Sequence, residues 1–364
     1  MKIGILGTRG IPNNYGGFEQ FAEYLSTNLV ERGCDVSVYN SHNHPYQQKT
    51  FKNVNIIHKY DPEYRIGTAG QFIYDLNCIL DSYKRKFDII LQLGYTSSSV
   101  WGSLLPRKSI IIYNMDGFEW KRSKYSPKVQ KFLKFAERLT VKYSDYMVSD
   151  SLVIEEYMRE KYGRQSFYIP YGAEVFQNPD INLLNSFNIK PYKYNLVIAR
   201  LEPENNIELI IQGVLKSKTQ NPLLIIGSMK NDFGKYLYSK YNSDLIRFLG
   251  GIYDISLLNN LRNFCCIYFH GHSVGGTNPS LIEAMASSAL ICASNNEFNK
   301  KVLNGNAFYF KNSDDISSVI NNGSERVKNM DKINFNKKEV EEKYLINDII
   351  DQYHHVFMES ISKK

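Results

Sequence analysis

Short runs of branched and apolar residues return along the whole chain, separated by stretches long enough for one helix each. In the first half they are KIGIL (2–6), VSVYN (36–40), VNIIH (54–58), DIILQL (88–93), SIIIYN (109–114) and DYMVS (145–149). In the second half they are NLVIA (195–199), LLIIG (223–227), IRFLG (246–250), CCIYF (265–269) and ALICA (289–293). Runs this short and this continuously apolar read as strands buried on both faces. Alternation with helices points to mostly parallel, doubly wound sheets. At 364 residues the chain is long for one core, so two such domains are expected. After FYIPYGAEVF (167–176), the segment 177–192 reads as a linker. Two facing sheets of this kind would bind ligands in the cleft at the carboxyl ends of their strands.

Chemistry concentrates after particular strands. The first strand runs into the polar loop TRGIPNNYGG (8–17), then a helix from about Gly17 to Arg32 with Phe18, Phe21, Leu25 and Leu29 at helical spacing and Gly33 as its stop. More telling is HGHSVGGTNPSLIEAMA (270–286). Asn278 suits an N-cap and Pro279 the first helical position. Gly275 and Gly276 permit close backbone approach to a ligand. The combination describes a helix start fronted by bare amides, a ready anion site. Glu283 lies about one turn inside, and helical side chains lean toward the N-terminus. Phosphate on the amides and a diol on the carboxylate would fit a sugar nucleotide; an ordinary strand–helix turn with a well-made cap fits the same residues.

Charge and cysteines narrow the class. The net charge is +7, and from Lys121 to Lys142 there are eight basic residues and one acidic residue. There PKVQKFLKFAERLTVKY (127–143) reads as a helix with Val129, Phe132, Phe135, Ala136 and Leu139 on one face and Lys128, Lys131 and Lys134 among its cations. It fits both an anionic membrane surface and a solvated helix with its apolar stripe on the core. No nucleic-acid motif accompanies the charge. No apolar run approaches the roughly 18–20 residues that span a bilayer, and no signal peptide is visible. Five cysteines without metal spacing suit a reducing compartment, so a cytoplasmic location is expected.

The chain resembles bacterial family 4 glycosyltransferases of the GT-B fold, and within them the rhamnosyltransferases of capsule and surface polysaccharide synthesis. The blocks that carry the likeness are GTRGIPNNYGGFEQFAEYL (7–25), NMDGFEWKRSKY (114–125), ARLEPENN (199–206) and HGHSVGGTNPSLIEAMA (270–286). The resemblance implies two facing Rossmann-like domains, an acceptor-side domain at 1–176 and a nucleotide-sugar domain at 193–340, with a terminal helix of about 345–364 packing back on the first. It implies that Gly16 and Gly17 approach the donor phosphates and sugar, that Arg200 grips the diphosphate, and that Glu283 holds the ribose hydroxyls. Asn114 and Asp116 would lie on the acceptor side, where many relatives carry a histidine; Trp120 fits packing or stacking on a sugar. His270 and His272 fit sugar or phosphate contacts as well as structural roles, with His272 taken as a catalytic candidate.

Two departures from the wider family stand out. The first glutamate of its paired-glutamate motif would fall at Gly275, leaving backbone amides, Thr277 and Asn278 in its place. A lysine usual after the arginine is replaced by Asn205 and Asn206. One charged hydrogen bond contributes about 1.5–3 kcal/mol, so Arg9 is expected to compensate. The implied reaction transfers a hexose, L-rhamnose from dTDP-β-L-rhamnose, with retention of configuration, onto a polyprenyl-diphosphate-linked saccharide at the inner membrane face. No metal or other cofactor is expected, since amides and arginine can take the charge. A UDP- or GDP-sugar donor and a sugar-nucleotide epimerase remain alternatives. A nicotinamide dehydrogenase does not: Gly7 and Gly10 give G-x-x-G, and Tyr39 and Asn40 end the second strand where a ribose-binding acid belongs.

Overall fold

The structure, a computed structural model, describes residues 1–122, 124–323 and 325–364. The chain divides into two compact units, Met1–Tyr171 with Ile346–Lys364, and Gly172–Leu345.

The first unit is built on eight strands: β1 (Lys2–Leu6), β2 (Asp35–Ser41), β3 (Thr50–Phe51), β4 (Val54–Lys59), β5 (Ile89–Leu93), β6 (Ile110–Met115), β7 (Tyr146–Ser149) and β8 (Phe167–Tyr168). Their order is β3-β4-β2-β1-β5-β6-β7-β8, and all neighbours pair in parallel except β3 with β4. The order reverses about β1, which pairs with β2 on one side and β5 on the other. Ile5, Leu91 and Ile112 stand in register across β1, β5 and β6 and are fully buried. Helix Gly17–Glu31 covers this face with Phe21, Ala22, Leu25 and Leu29. As the sequence suggests, the chain turns at Gly33, whose φ of +82° favours glycine. Helix Ile346–Ser362 buries Ile349, Ile350, Tyr353, Val356 and Phe357 in the same cluster.

The second unit carries β9 (Asn195–Ile198), β10 (Leu223–Ile226), β11 (Ile246–Gly250), β12 (Tyr268–His270), β13 (Ile291–Ser294) and β14 (Phe308–Phe310). Their order is β11-β10-β9-β12-β13-β14, all parallel, with the reversal about β9. In open α/β sheets the loops at such a reversal hold ligands. Residues 177–192, read as a linker, hold the 3-10 turn Ile181–Phe187, whose Leu184 is buried in this unit's core. The apolar run 265–269 is a strand only from Tyr268, which bonds the Leu290 carbonyl.

Helix Pro127–Tyr143 forms with Ala136 buried and Phe132 and Leu139 half-buried, as expected, but its buried face is turned away from the rest of the expected stripe. It buries Leu133, Ala136, Glu137 and Thr140, while Val129 and Phe135 are exposed. The phase is set by a carboxylate. Glu137 is fully buried and accepts from Trp120 Nε1 (3.0 Å), Tyr157 Oη (2.9 Å), Lys161 Nζ (2.9 Å) and Tyr162 Oη (2.6 Å). A buried charge is tolerated only when so satisfied. Among the described residues, no helix is long and apolar enough to cross a membrane.

Candidate active site

In the second unit the loops after β9 and β12 lock together. Asn206 Nδ2 donates to the Gly271 carbonyl (2.8 Å), and Ser273 gives both its amide (3.1 Å) and its hydroxyl (2.7 Å) to the Glu204 carbonyl. Asn205 Nδ2 closes its own loop on the Arg200 carbonyl (2.8 Å). A Cβ at Gly271 would stand 2.0 Å from the Asn205 carbonyl oxygen, so only glycine permits this approach. Asn206 has φ of +52°, a conformation asparagine tolerates better than most residues. Of the two asparagines that replace a lysine, Asn206 therefore fastens the two loops together and Asn205 closes its own. Sequence reasoning saw only the missing charge.

Arg200 stands just past β9, exposed, and among the described residues its guanidinium meets no hydrogen-bond or ion-pair partner. After β12, Gly275 has φ of +136° with no atom within 4 Å of where a Cβ would lie. The backbone conformation demands glycine there, and the space beside it is open. Asn278 caps helix Pro279–Ala286, its Oδ1 accepting from the Ser280 amide (3.1 Å) and hydroxyl (2.9 Å), and Pro279 opens the helix as expected. Thr277 is buried and Gly276 lies between it and Gly275.

Glu283 sits on the same short helix, 7% exposed, with its Oε2 paired to Nη2 of Arg262, itself 1% exposed. Nothing in the sequence singles out Arg262. Its helix, Ile255–Phe264, shows its apolar spacing without revealing that one cation turns inward. His270 is buried, neither ring nitrogen has a partner among the described residues, and burial pulls its pKa down to about 3. It is a neutral ring stacked on His272, centroids 4.4 Å apart. The His272 carbonyl accepts from Asn296 Nδ2 (2.9 Å) and Asn299 Nδ2 (3.3 Å), which hold the loop from the β13 side.

In the first unit the loop after β1 is fastened by carboxylates. Glu19 Oε1 accepts from the Arg9 amide (2.9 Å) and from Thr8 Oγ1 (3.3 Å), and Glu23 Oε2 accepts from the Asn13 amide (2.8 Å). Glu19 is buried in the first turn of helix Gly17–Glu31 and so supplies a negative charge at its N-terminus. Arg9 is committed as well. Its guanidinium grips Glu63 with two hydrogen bonds (3.0 and 2.8 Å) and lies 4.0 Å from the Tyr15 ring centroid. The expectation that Arg9 replaces the missing lysine meets that occupied fork. Gly16 is extended, and a Cβ there would touch only Glu19 Oε2 at 3.5 Å. The folded chain does not itself require glycine at 16; Gly17 begins the helix.

Beyond β6, Asp116 is half-buried in the turn closed by Gly117 (φ +63°). Asn114 is not on an acceptor surface. It is 1% exposed on β6, and its Nδ2 donates to the Tyr353 hydroxyl (2.8 Å). Trp120 packs: its indole nitrogen bonds Glu137, and its ring lies beside Phe118 (5.7 Å between centroids). Lys128, Lys131 and Lys134 are exposed on the helix that follows. Among the described residues no group of three His, Cys, Asp or Glu side chains could hold a metal ion.

Residues 182–338 match the family model for glycosyl transferases group 1. The matched stretch lies within the second unit. Residues 1–174 match a domain of unknown function, DUF1972. No curated protein matches the chain. Among solved structures, sucrose-phosphate synthase from Thermosynechococcus elongatus aligns with a TM-score of 0.81 at 14% identity, covering 100% of both chains. HepE from Anabaena, in complex with UDP and glucose, aligns at 0.76 and 15% identity over 98% of this chain and 99% of its own. A structure of trehalose-6-phosphate from E. coli, bound with UDP-2-fluoro glucose, aligns at 0.72 and 10% identity over 98% of each. At these identities the likeness establishes the fold, two parallel α/β domains of the GT-B class. In this second unit, Arg200 and the capped helix start follow β9 and β12, which are neighbours in the sheet.

Proposed function

We propose that the chain is a retaining glycosyltransferase that takes a hexose from a nucleotide sugar, with L-rhamnose from dTDP-β-L-rhamnose as donor, and adds it to a polyprenyl-diphosphate-linked saccharide. The observation that carries the nucleotide-sugar reading is the placement of an exposed arginine and a capped, glycine-fronted helix start at the ends of adjacent parallel strands. The diphosphate lies on the amides of residues 275–278 and on Arg200, and Glu283 takes the pentose hydroxyls, of which the deoxyribose of dTDP offers the 3′ one. As the bond from the anomeric carbon to the phosphate oxygen breaks, negative charge grows on the diphosphate, and this preformed positive field stabilises it. The acceptor hydroxyl attacks the same face and gives its proton to the departing phosphate. Asp116 orients that hydroxyl, His272 lies beside the sugar, and Gly16 and Gly17 leave room for it. No cation enters the scheme.

The donor base has a second reading. Two of the aligned structures hold UDP or a UDP sugar, which supports a UDP-sugar donor; the rhamnose reading rests on the sequence blocks. The experiment is an assay with labelled dTDP-rhamnose, UDP-glucose and GDP-mannose and lipid-linked acceptors, beside thermal-shift ranking of dTDP, UDP and GDP. Preference for UDP would remove rhamnose, and nucleotide release without acceptor would point to an epimerase. Glu283→Ala is expected to weaken donor binding strongly; unchanged binding would take the ribose role from Glu283.

The acceptor's lipid suggests where the protein works. We read it as attached peripherally to the inner face of the bacterial plasma membrane through the basic helix Pro127–Tyr143, whose exposed side carries Lys128, Lys131, Arg138 and Lys142 around Phe135.

A further inference from the structure

The Arg262–Glu283 pair sits where a helix interface would ordinarily be apolar. Around Glu283, the residues Ile282, Ala284, Met285 and Ala286 are all buried, and Arg262 lies among the buried Leu258, Leu261 and Phe264. An apolar pair of similar volume commonly packs such an interface at least as stably, because both charges must leave water. Arg262 is also held on its far side. Its Nη1 donates to Asn259 Oδ1 (2.8 Å), which also accepts from Ser287 Oγ (3.3 Å), while its Nε has no partner among the described residues. The chain Ser287–Asn259–Arg262–Glu283 thus fixes the carboxylate from behind, from residues on two helices.

We propose that Arg262 is the positioning residue for the Glu283 carboxylate, holding it aimed at the hydroxyls of the nucleotide's pentose; this rests on the pentose-binding role given to Glu283 above. Two physical reasons support it. A planar guanidinium held on its other side by Asn259 defines the direction of a carboxylate better than a lysine can. It also cancels the charge of Glu283, which otherwise would oppose a diphosphate bound one turn away at the same helix start. Arg262 does not touch the nucleotide itself.

The test is the hydroxyl discrimination of the whole chain, read by calorimetry as the ratio of dissociation constants for UDP and 2′,3′-dideoxy-UDP, which differ at two hydroxyls, and for dTDP and 3′-deoxy-dTDP, which differ at the 3′-hydroxyl alone. Loss of a purely structural contact would weaken each pair of ligands equally and leave the ratio unchanged. Wild type is expected to favour the hydroxylated member by about tenfold, Glu283→Ala to abolish the preference, and Arg262→Met to reduce it to about twofold or less. Preference retained in a folded Arg262→Met, with Glu283→Ala losing it, overturns the positioning role and leaves Glu283 in place. No preference in wild type, or preference surviving in Glu283→Ala, overturns the ribose reading itself. Should Arg262→Met not fold, Arg262→Lys keeps a buried cation without the fork; a fall of about threefold or more is expected, and an unaltered ratio sinks the proposal.

Discussion

Asn114 and Tyr353 lie 239 residues apart, yet the asparagine's Nδ2 donates to the tyrosine's hydroxyl at 2.8 Å inside the first unit, both side chains almost fully buried. The bond ties β6 to the last helix, whose Ile349, Ile350, Val356 and Phe357 complete the same core. Tyr353→Phe keeps the ring against Phe21, where centroids are 5.2 Å apart, but strips Asn114 of its partner. A buried donor left unsatisfied costs about 1–3 kcal/mol. Urea unfolding should show that loss; an unchanged midpoint would mean that Asn114 finds water or another acceptor.

The strands and most helices could be read from the sequence because apolar runs and helical periodicity report burial directly. The helix Pro127–Tyr143 shows the limit. Its Val129, Phe132, Phe135, Ala136 and Leu139 face looks like the inner one, but Val129 and Phe135 are exposed, because a buried Glu137 with four donors turns the helix, and those donors come from three later residues and Trp120. Periodicity cannot see partners supplied from elsewhere. The same holds at the candidate site. The cap at Asn278 is local and legible, whereas Arg262 behind Glu283, Glu63 on Arg9 and Gly271 under Asn206 depend on contacts between segments far apart in the chain.

Asp75 gives the first unit a dependence on pH. It is buried on helix Ala69–Arg85 with its Oδ2 accepting from Ser97 Oγ at 2.5 Å, and desolvation raises its pKa to about 7, with Asp61 adding to the effect and Ser97 and Arg9 opposing it. The folded protein then binds a proton that the unfolded chain has released above its ordinary value of 3.8. Stability from this group is complete below that value and declines as pH rises toward about 7, by up to about 4 kcal/mol. Asp75→Asn retains a partner for Ser97 and removes the titration. Its unfolding midpoint should pull ahead of wild type between about pH 5 and about pH 8. Parallel curves for the two proteins would show that Asp75 stays ionised in the folded state.

Arg200 offers a cleaner separation of binding from folding. Because it is exposed and without an ion-pair partner among the described residues, Arg200→Ala should leave the melting temperature within about a degree, as surface substitutions usually do. A lost charged hydrogen bond to the diphosphate should weaken UDP or dTDP binding by about ten- to a hundredfold in calorimetry. If affinity survives, the diphosphate lies elsewhere, and the amides after β12 lose their partner in the proposal.

The exposed side of helix Pro127–Tyr143 tests attachment to lipid in two independent ways. Lys128, Lys131, Arg138 and Lys142 fall at spacings that share one helical face, and Phe135, 51% exposed, stands among them. Lys134 is engaged differently, with its Nζ 4.3 Å from the Trp120 ring centroid. Each cation near an anionic surface contributes about 1 kcal/mol, and that part is screened by salt. A triple change of Lys128, Lys131 and Arg138 to glutamine should therefore cut binding to phosphatidylglycerol vesicles and flatten its salt dependence. Phe135→Ser should weaken binding while leaving the salt dependence as it was, since it removes only apolar insertion. Both variants keep the buried face of Leu133, Ala136, Glu137 and Thr140 intact and should melt like wild type. Vesicle sedimentation that is the same for all three proteins would return this helix to a solvated face of the first unit.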